Sequence, residues 1–406
     1  MVRSRGIIGN KVVIALMSIS IAVGVSGLSP AASASPAAAV PWARVGPGWV
    51  LAQYWPGRLP DAGQGTAAPV TLFLISPSGH RYQVHHWATT RKPLYVIDWS
   101  GDRTRALLYS PATDRLEQLT LATGRISPIS PPSDVTRYIV SYARPAGRGL
   151  LAVRQVRGGS QLVRLGLTGR LVKVLASGPE AGTFVSSSSG ATIAVGGARG
   201  LRLVSTSGGV IRRLPVPRTA SSGCLPTRWW NSRTILATCV ARGAHRDRLW
   251  LVPAGGARPT PLTPQHGRHS PDLGDIGAWA IPGGLYLQGL GRNGRVSIFQ
   301  QRANGELPVI RPPGSAYENW ILTTRRSRLL VNEIAPCRGT DSLRWFSPAT
   351  GRGQTLIKAP PGRAGVIGVV PYGPPPADIL VSVVCGAGRA ANLVDSPGAT
   401  GIAPRL

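Results

Sequence analysis

Aromatic and arginine side chains that could contact a ligand recur along this chain. Aromatic rings present flat apolar faces, and a guanidinium binds carboxylate or phosphate oxygens through paired hydrogen bonds. Together these groups suit a sugar-containing polyanion or a peptide carboxylate. The candidates are Trp99, Tyr142, Arg144, Trp229, Trp230, Trp279, Trp320, Arg325 and Arg326. The alternative is that the tryptophans only pack in the core, as large aromatic residues normally do.

Histidine and aspartate residues offer a second possible chemistry. His266 and His269 lie in a loop rich in proline and glycine, with Asp272 and Asp275 close behind. Two imidazoles and two carboxylates are a ligand set that can hold Zn²⁺. Ordinary loop residues are the simpler interpretation, and the chain has no HExxH zinc motif, calcium loop or nucleotide-binding glycine loop. We therefore expect no metal and no cofactor.

The elements that must position these residues are short strands. Apolar runs of four to eight residues, rich in Val, Ile and Leu, alternate with turn residues, and the chain holds 51 Gly and 37 Pro. No segment sustains helical periodicity over three turns. The sequence therefore predicts an all-β protein.

A strand–turn–strand pattern repeats about every 40 to 50 residues, and a third and a fourth strand usually follow it. The eight copies start at Ala43, Ile97, Ile139, Phe184, Pro226, Gly277, Asn319 and Gly368. Four strands per repeat at this period are typical of a β-propeller, in which neighbouring blades stack into a ring. The count predicts eight four-stranded blades. Seven blades, with the two chain ends sharing one, is the alternative.

One repeat carries a family resemblance. Residues 97–125, IDWSGDRTRALLYSPATDRLEQLTLATGR, hold a Trp-Ser-Gly-Asp turn, an apolar strand and then LTLATGR. This copy resembles the WSPDG repeat of TolB-type propellers, and the other copies match it less well. The resemblance implies the propeller architecture and no particular activity. In this repeat we expect Trp99 to start the inner strand, Asp102 to be a turn residue and Asp98 to be a polar group at the strand end.

The four cysteines indicate two disulfides, for which three connectivities are possible. A two-residue turn at Asn231 and Ser232 would place Cys224 opposite Cys239, within disulfide reach. Cys337 and Cys385 would then pair by elimination. Metal binding is the rival interpretation, but no CxxC motif and no nearby histidine support it.

The first 39 residues resemble a secretory signal peptide. Arg3, Arg5 and Lys11 precede an apolar run of 17 residues, positions 12–28, and a stretch rich in alanine and serine follows. Cleavage after Ala34 or Ala39 fits the pattern. An uncleaved anchor is the alternative, because 17 residues is the lower edge of a membrane span. We expect a signal peptide over 1–39, then a single secreted propeller domain over 40–406 with no membrane span.

The chain is strongly basic, with a formal charge of +30 that falls to +27 without residues 1–39. Arginine replaces lysine almost throughout, as in proteins encoded by high-GC bacterial genes, but the shortage of acids is a separate feature. Such a charge attracts polyanions through counterion release. A solvated basic surface with no dedicated partner is the plainer alternative.

These features together predict a secreted binding or scaffold protein. In a propeller the candidate aromatic and arginine residues would lie in or beside the channel-lining first strands. The expected partner is an anionic envelope or extracellular polymer, or a protein or peptide at the propeller face. We expect a monomer without specific nucleic-acid recognition. The alternative function is a secreted hydrolase or lyase with its site at the channel mouth, although 16 acidic residues leave few carboxylate pairs for such chemistry.

Overall fold

The chain folds almost entirely as antiparallel β-strands. A computed structural model describes residues 39–57, 66–90, 93–178, 183–197, 200–217, 220–241, 247–263, 272–291, 296–312, 318–334, 342–360, 363, 365–373, 383–386 and 389–392. Within these residues the one helical element is a 3-10 turn at Trp42–Arg44. The same part of the chain contains no helix long and apolar enough to cross a bilayer.

The strands follow one another in groups of four. The chain begins with β1 (Val50–Tyr54), β2 (Ala68–Ile75) and β3 (Arg81–Thr90). The next group is β4 (Tyr95–Trp99), β5 (Arg105–Ser110), β6 (Arg115–Thr120) and β7 (Ile126–Ile129). It is followed by β8 (Val135–Tyr142), β9 (Leu150–Val156), β10 (Gly159–Leu165) and β11 (Leu171–Gly178).

The middle of the chain continues the pattern. It contains β12 (Thr183–Ser186), β13 (Thr192–Gly197), β14 (Gly200–Ser205), β15 (Val210–Leu214), β16 (Ala220–Asn231), β17 (Thr234–Ala241), β18 (Asp247–Pro253) and β19 (Thr260–Pro261). Next come β20 (Asp272–Ile281), β21 (Gly284–Gly291), β22 (Val296–Gln301) and β23 (Val309–Ile310). The last strands are β24 (Glu318–Arg325), β25 (Arg328–Ile334), β26 (Ser342–Ser347), β27 (Arg352–Lys358), β28 (Val366–Pro371), β29 (Val383–Gly386) and β30 (Arg389–Asn392).

Strand pairing sorts these elements into sheets. Four sheets have four strands each: β28-β1-β2-β3, β4 to β7, β8 to β11 and β24 to β27. Strands β12 to β23 form one twelve-stranded sheet. Within it, β13 joins β16 at the single pair Gly197–Cys224, and β18 joins β20 at the single pair Asp247–Gly274. Strands β29 and β30 pair only with each other among the described residues.

The sheets form a propeller that is closed where the late strand β28 pairs with the first strand, β1. Strand β28 pairs antiparallel with β1, from Val50 opposite Pro371 to Tyr54 opposite Val366. The first strands of successive groups also contact one another: β28 meets β4, β4 meets β8, β12 meets β16, and β24 meets both β20 and β28. These contacts line up the first strands at the centre of the arrangement, as the repeat predicts.

The core lies between the sheets, where inner strands such as β5 and β9 bury both of their faces, whereas outer strands such as β15 are largely exposed. Successive side chains on a strand point to opposite faces. In β1, Leu51 packs against Trp99 of the next sheet, whereas Val50 and Ala52 pack against Trp345 of the preceding one. Neither face of these strands is exposed to solvent. Their sequences are therefore continuous apolar runs and do not alternate between apolar and polar residues.

Two details of the predicted repeat are wrong. The segment from Ala43 forms a 3-10 turn and not a first strand, and β28 supplies the strand that pairs there. Trp99 is the last residue of β4 and not its start, because the strand begins at Tyr95. The predictions of seven or eight blades, and of a boundary after residue 39, stay predictions.

The disulfide predicted between Cys224 and Cys239 is present. The two cysteines are directly opposed on β16 and β17 with their Cα atoms 4.2 Å apart, and both side chains are buried. Cys337 lies outside the described residues, and so does the side chain of Cys385, so their pairing stays a prediction.

The turn from which we derived this pairing is displaced by one residue. The strands turn at Ser232 and Arg233, and Asn231 pairs with Thr234. Two register shifts follow along the strands, one between Trp229 and Asn231 and one before Arg228. They cancel the displacement, so Cys224 still faces Cys239.

We expect the disulfide to stabilise the fold by about 3 kcal/mol, because it closes a loop of 15 residues in the unfolded chain. A Cys224→Ala/Cys239→Ala variant should lose about that free energy of unfolding in a denaturant titration without reductant. Peptide mapping under non-reducing conditions should recover the two cysteines in one cross-linked fragment. Free thiols at both positions in the protein purified without reductant would contradict the pairing.

Candidate functional site

The carboxyl ends of the first strands and the turns that follow them gather at one end of the propeller, which we call the loop face. Two contacts show how closely its turns pack. A Cβ on Gly101 would overlap the carbonyl oxygen of Pro145, and a Cβ on Gly190 would overlap that of Arg144. Gly190 also has a φ of +72°, a conformation that side chains disfavour. Three consecutive turns therefore meet backbone to backbone.

A buried ion pair ties the first two of these turns together. Arg144 donates from Nη2 to Oδ1 of Asp98 at 2.6 Å and from Nη1 to the carbonyl oxygen of Trp99 at 2.7 Å. The backbone N–H of Tyr142 donates to Oδ2 of Asp98 at 2.6 Å. Asp98 is fully buried and the Arg144 side chain is nearly so. The pair joins β4 to the end of β8.

The ionisation of Asp98 reflects two opposing effects. Burial raises the pKa of the Asp98 carboxyl, because a charge is poorly solvated inside the protein. The Arg144 guanidinium and the N–H groups of Tyr142 and Trp99 act in the opposite direction, since they stabilise the carboxylate. This pair holds the turns of the loop face in place and leaves Asp98 inaccessible to a ligand.

A cavity of the loop face lies where four first strands end. It has a volume of about 270 Å³ and collects side chains from β12, β16, β20 and β24 and from the turns after β12 and β16. Its aromatic lining is Trp229 and Trp279. Its polar lining is Arg228, the hydroxyls of residues 186–188, Asn231, Ser232, Thr323 and Thr324. The cavity therefore offers two indole rings, a guanidinium and several hydroxyl groups.

Arg228 carries the positive charge of this cavity. Its guanidinium lies 4.9 Å from the ring centre of Trp230 and 5.4 Å from that of Trp279, and it donates to the carbonyl oxygen of Ala278. Burial lowers the pKa of Arg228 to about 10, so the group remains protonated at neutral pH. The Nε atom of Arg228 is buried without a hydrogen-bond partner among the described residues. One donor of this arginine is therefore not engaged by the part of the chain that the structure describes.

The structure divides the nine candidate ligand residues into three groups. Trp229 and Trp279 line the cavity, and Trp230 lies next to it against Arg228. Trp99 and Tyr142 are buried in the core, and Arg144 is held by Asp98.

The remaining candidates lie on β24 and the turn after it. Trp320 is half-buried, and its Nε1 donates to Glu318 at 3.3 Å. Arg325 packs against Gly48 and is half-buried, whereas Arg326 is exposed. Ligand contact by any of the nine residues stays a prediction.

Sequence reasoning missed Arg228 and the hydroxyl groups. Residues 228 and 230 share a face of β16 by the two-residue period of a strand, so the Arg-Trp-Trp sequence carried a signal for Arg228. The hydroxyl groups had no such signal, because serine and threonine are common in turns. His266 and His269 lie outside the described residues, as does the side chain of Asp272. Within the described part of the chain, no three His, Cys, Asp or Glu residues group in a way that could hold a metal ion.

Comparisons with known proteins support the propeller fold and identify no activity. No protein-family profile matches the chain, and no curated protein sequence matches it. A prolyl endopeptidase structure is similar, with a TM-score of 0.50 and 14% identity over 75% of this chain and 49% of the endopeptidase. The chain thus spans about half of that enzyme. TolB from Acinetobacter baumannii is also similar, with a TM-score of 0.43 and 14% identity over 80% of this chain and 66% of TolB.

We expect the Asp98–Arg144 pair to dominate the stability of the loop face. Asp98→Ala should lower the free energy of unfolding by about 3 to 5 kcal/mol, because it leaves a buried, uncompensated guanidinium. Asp98→Leu/Arg144→Met removes both charges and should be more stable than the single variant. Denaturant unfolding of the three proteins measures both differences.

An exposed ion pair provides the matched control. Asp114 pairs with Arg137, and the Asp114 side chain is 54% exposed. Asp114→Asn should cost less than about 1 kcal/mol, because solvent screens the pair. Equal losses for Asp98→Ala and Asp114→Asn would show that the buried pair has no special role.

Proposed function

We propose that this chain is an exported β-propeller binding module, and that its ligand is an anionic envelope or extracellular polymer bound at the loop face. The observation that carries the proposal is the cavity at the ends of β12, β16, β20 and β24. Its lining combines indole rings with hydroxyl groups and the guanidinium of Arg228. Apolar ring faces suit the carbon faces of sugars, and the donors suit hydroxyl and anionic oxygens.

The charge of the chain supports an anionic ligand. The formal charge is +30, and Arg325 and Arg326 follow directly on the cavity residue Thr324. Partial burial lowers the pKa of Arg325 from its ordinary value, and the neighbouring charges of Arg326 and Arg328 lower it further, because three guanidinium groups lie close together. An approaching polyanion would relieve this repulsion and release counterions.

Export to an oxidising compartment is part of the same proposal. It rests on the signal-like pattern over residues 1–39 and on the disulfide between Cys224 and Cys239. Disulfides persist outside the cytoplasm and are rare inside it. The tripartite N-terminal pattern predicts removal of these residues from the working protein.

We further propose a ring of seven blades. The four four-stranded sheets account for four of them, and the single-pair links at Gly197–Cys224 and Asp247–Gly274 divide the twelve-stranded sheet into three groups. Strand β28 then completes the first blade instead of starting an eighth. An experimentally determined structure with a separate eighth blade after residue 366 would overturn this count.

A charge placed at the cavity rim tests the proposed binding face. Ser188 is exposed and lines the cavity. Ser188→Glu should weaken binding of a purified glycerol-phosphate polymer by about tenfold, because a carboxylate there repels the ligand. Biolayer interferometry at about 50 and 200 mM salt gives the affinity and its expected steep salt dependence.

Ser133→Glu is the matched control. Ser133 is exposed between β7 and β8, at the opposite end of β8 from the loop face, and the substitution changes the net charge equally. We expect less than about a twofold effect on affinity. Equal weakening by both variants would assign binding to diffuse charge, and no polymer binding at low salt would reject the proposed ligand class.

A further inference from the structure

A second cleft lies on the loop face, beside the cavity described above. It has a volume of about 240 Å³ and is bounded by the turn between β8 and β9 and by the turn between β14 and β15. Alanine, proline and leucine side chains form its apolar lining. Its polar lining is three guanidinium groups, from Arg144, Arg148 and Arg164, and the hydroxyl of Thr206.

Two of these arginines have no partner in the described part of the chain. Arg148 is exposed and Arg164 half-buried, and among the described residues neither side chain forms a hydrogen bond or an ion pair. The Arg164 guanidinium is close to the turn, with its Nε 3.5 Å from where a Cβ on Gly149 would lie. The absence of a side chain at Gly149 leaves room for it. Both charges therefore face the same cleft without compensation from the described part of the protein.

Arg144 lies at the floor of the cleft, where Asp98 matches its charge. Its two terminal nitrogens are used on Asp98 and Trp99, but its Nε is buried without a hydrogen-bond partner in the described structure. The arginine is 8% exposed, and its hydrogen bonds to Asp98 and Trp99 hold it in place. A ligand in the cleft therefore meets the free donors of Arg148 and Arg164.

We infer that this cleft binds a tetrahedral oxyanion, a phosphate or sulfate group. The donors are the guanidinium groups of Arg148, in the turn after β8, and Arg164, on β10, with the Thr206 hydroxyl on the facing turn. A tetrahedral anion presents oxygens in several directions and so can accept from several guanidinium groups at once, whereas a carboxylate presents two oxygens in one plane. The Asp98 charge is already matched by Arg144, which leaves two net positive charges for the ligand.

The cleft lies next to the first cavity, so one polymer could occupy both. This step of the inference rests on the proposed function. The turn at residues 187–190 separates the two binding sites: Ser187 and Ser188 line the first cavity, while Gly190 packs on Arg144 of the second. A polymer lying across this turn would place a sugar unit against Trp229 and Trp279 and an anionic group between Arg148 and Arg164. The ligand class is thus a polymer in which sugar or polyol units alternate with phosphate or sulfate.

Inorganic phosphate is the direct probe of the second site. Isothermal titration at constant ionic strength should show saturable binding of one phosphate per chain, and acetate should bind at least about tenfold more weakly. Arg148→Gln/Arg164→Gln should raise the phosphate dissociation constant by at least about tenfold, because each substitution removes a charge-assisted hydrogen bond to the phosphate. Thermal unfolding checks that the variant remains folded.

Arg157→Gln/Arg170→Gln is the matched control. Both residues are exposed on turns of the same sheet, neither lines the cleft, and the variant loses the same charge. Its phosphate affinity should stay within about twofold of the parent protein. Equal losses in the two variants, or no saturable phosphate binding in the parent, would overturn the site.

Polymer binding separates this inference from the proposed function. A glycerol-phosphate polymer and a sulfated polysaccharide are each tested with the parent protein and with the Arg148→Gln/Arg164→Gln variant. The polymer whose affinity falls in the variant identifies whether the cleft binds phosphate or sulfate groups. If the parent binds inorganic phosphate but neither polymer, the cleft stands and the proposed function fails. If the parent binds polymer and the variant binds it equally well, the cleft is not part of the binding face and the inference fails.

Discussion

Antiparallel pairing of β28 with β1 is the constraint on which the rest of the structure depends. Each sheet of this chain buries both faces against neighbours, so an open end would leave an apolar face and an unpaired edge in water. Strand β28 removes both defects, because it completes the first sheet and contacts the first strands of the sheets on either side. The first strands are thereby held in one arrangement, and their carboxyl ends form the loop face.

This closure also explains how polar groups come to lie among apolar strands. Asp98 and Arg144 lie where the first strands end, and their pairing fixes the backbone of two turns in a region that excludes water. The unpaired arginines of the same face, Arg148 and Arg164, sit farther out and keep contact with solvent. The loop face therefore contains two kinds of arginine: one holds the architecture, and the other remains available to a ligand.

Much of the fold was readable from the sequence, because turn residues and apolar runs repeat with a fixed spacing. The pairing of Cys224 with Cys239 was also predicted, although two register shifts had to cancel a displaced turn for that prediction to hold. The candidate site was predicted less well. Trp99 and Trp279 occupy similar places in their repeats, yet only Trp279 lines the cavity. Local sequence cannot distinguish a buried tryptophan from one that lines the cavity, because the difference depends on which neighbouring strands pack over each ring.

The backbone contacts among the loop-face turns limit how this protein can be altered. A turn that touches its neighbour at Gly101 or Gly190 has no room for a longer loop or for any side chain at the contact. New binding specificities are therefore accessible by exchanging exposed rim side chains such as Ser188 and Asn231. As an engineering scaffold, the propeller would accept point changes at its rim and reject grafted loops.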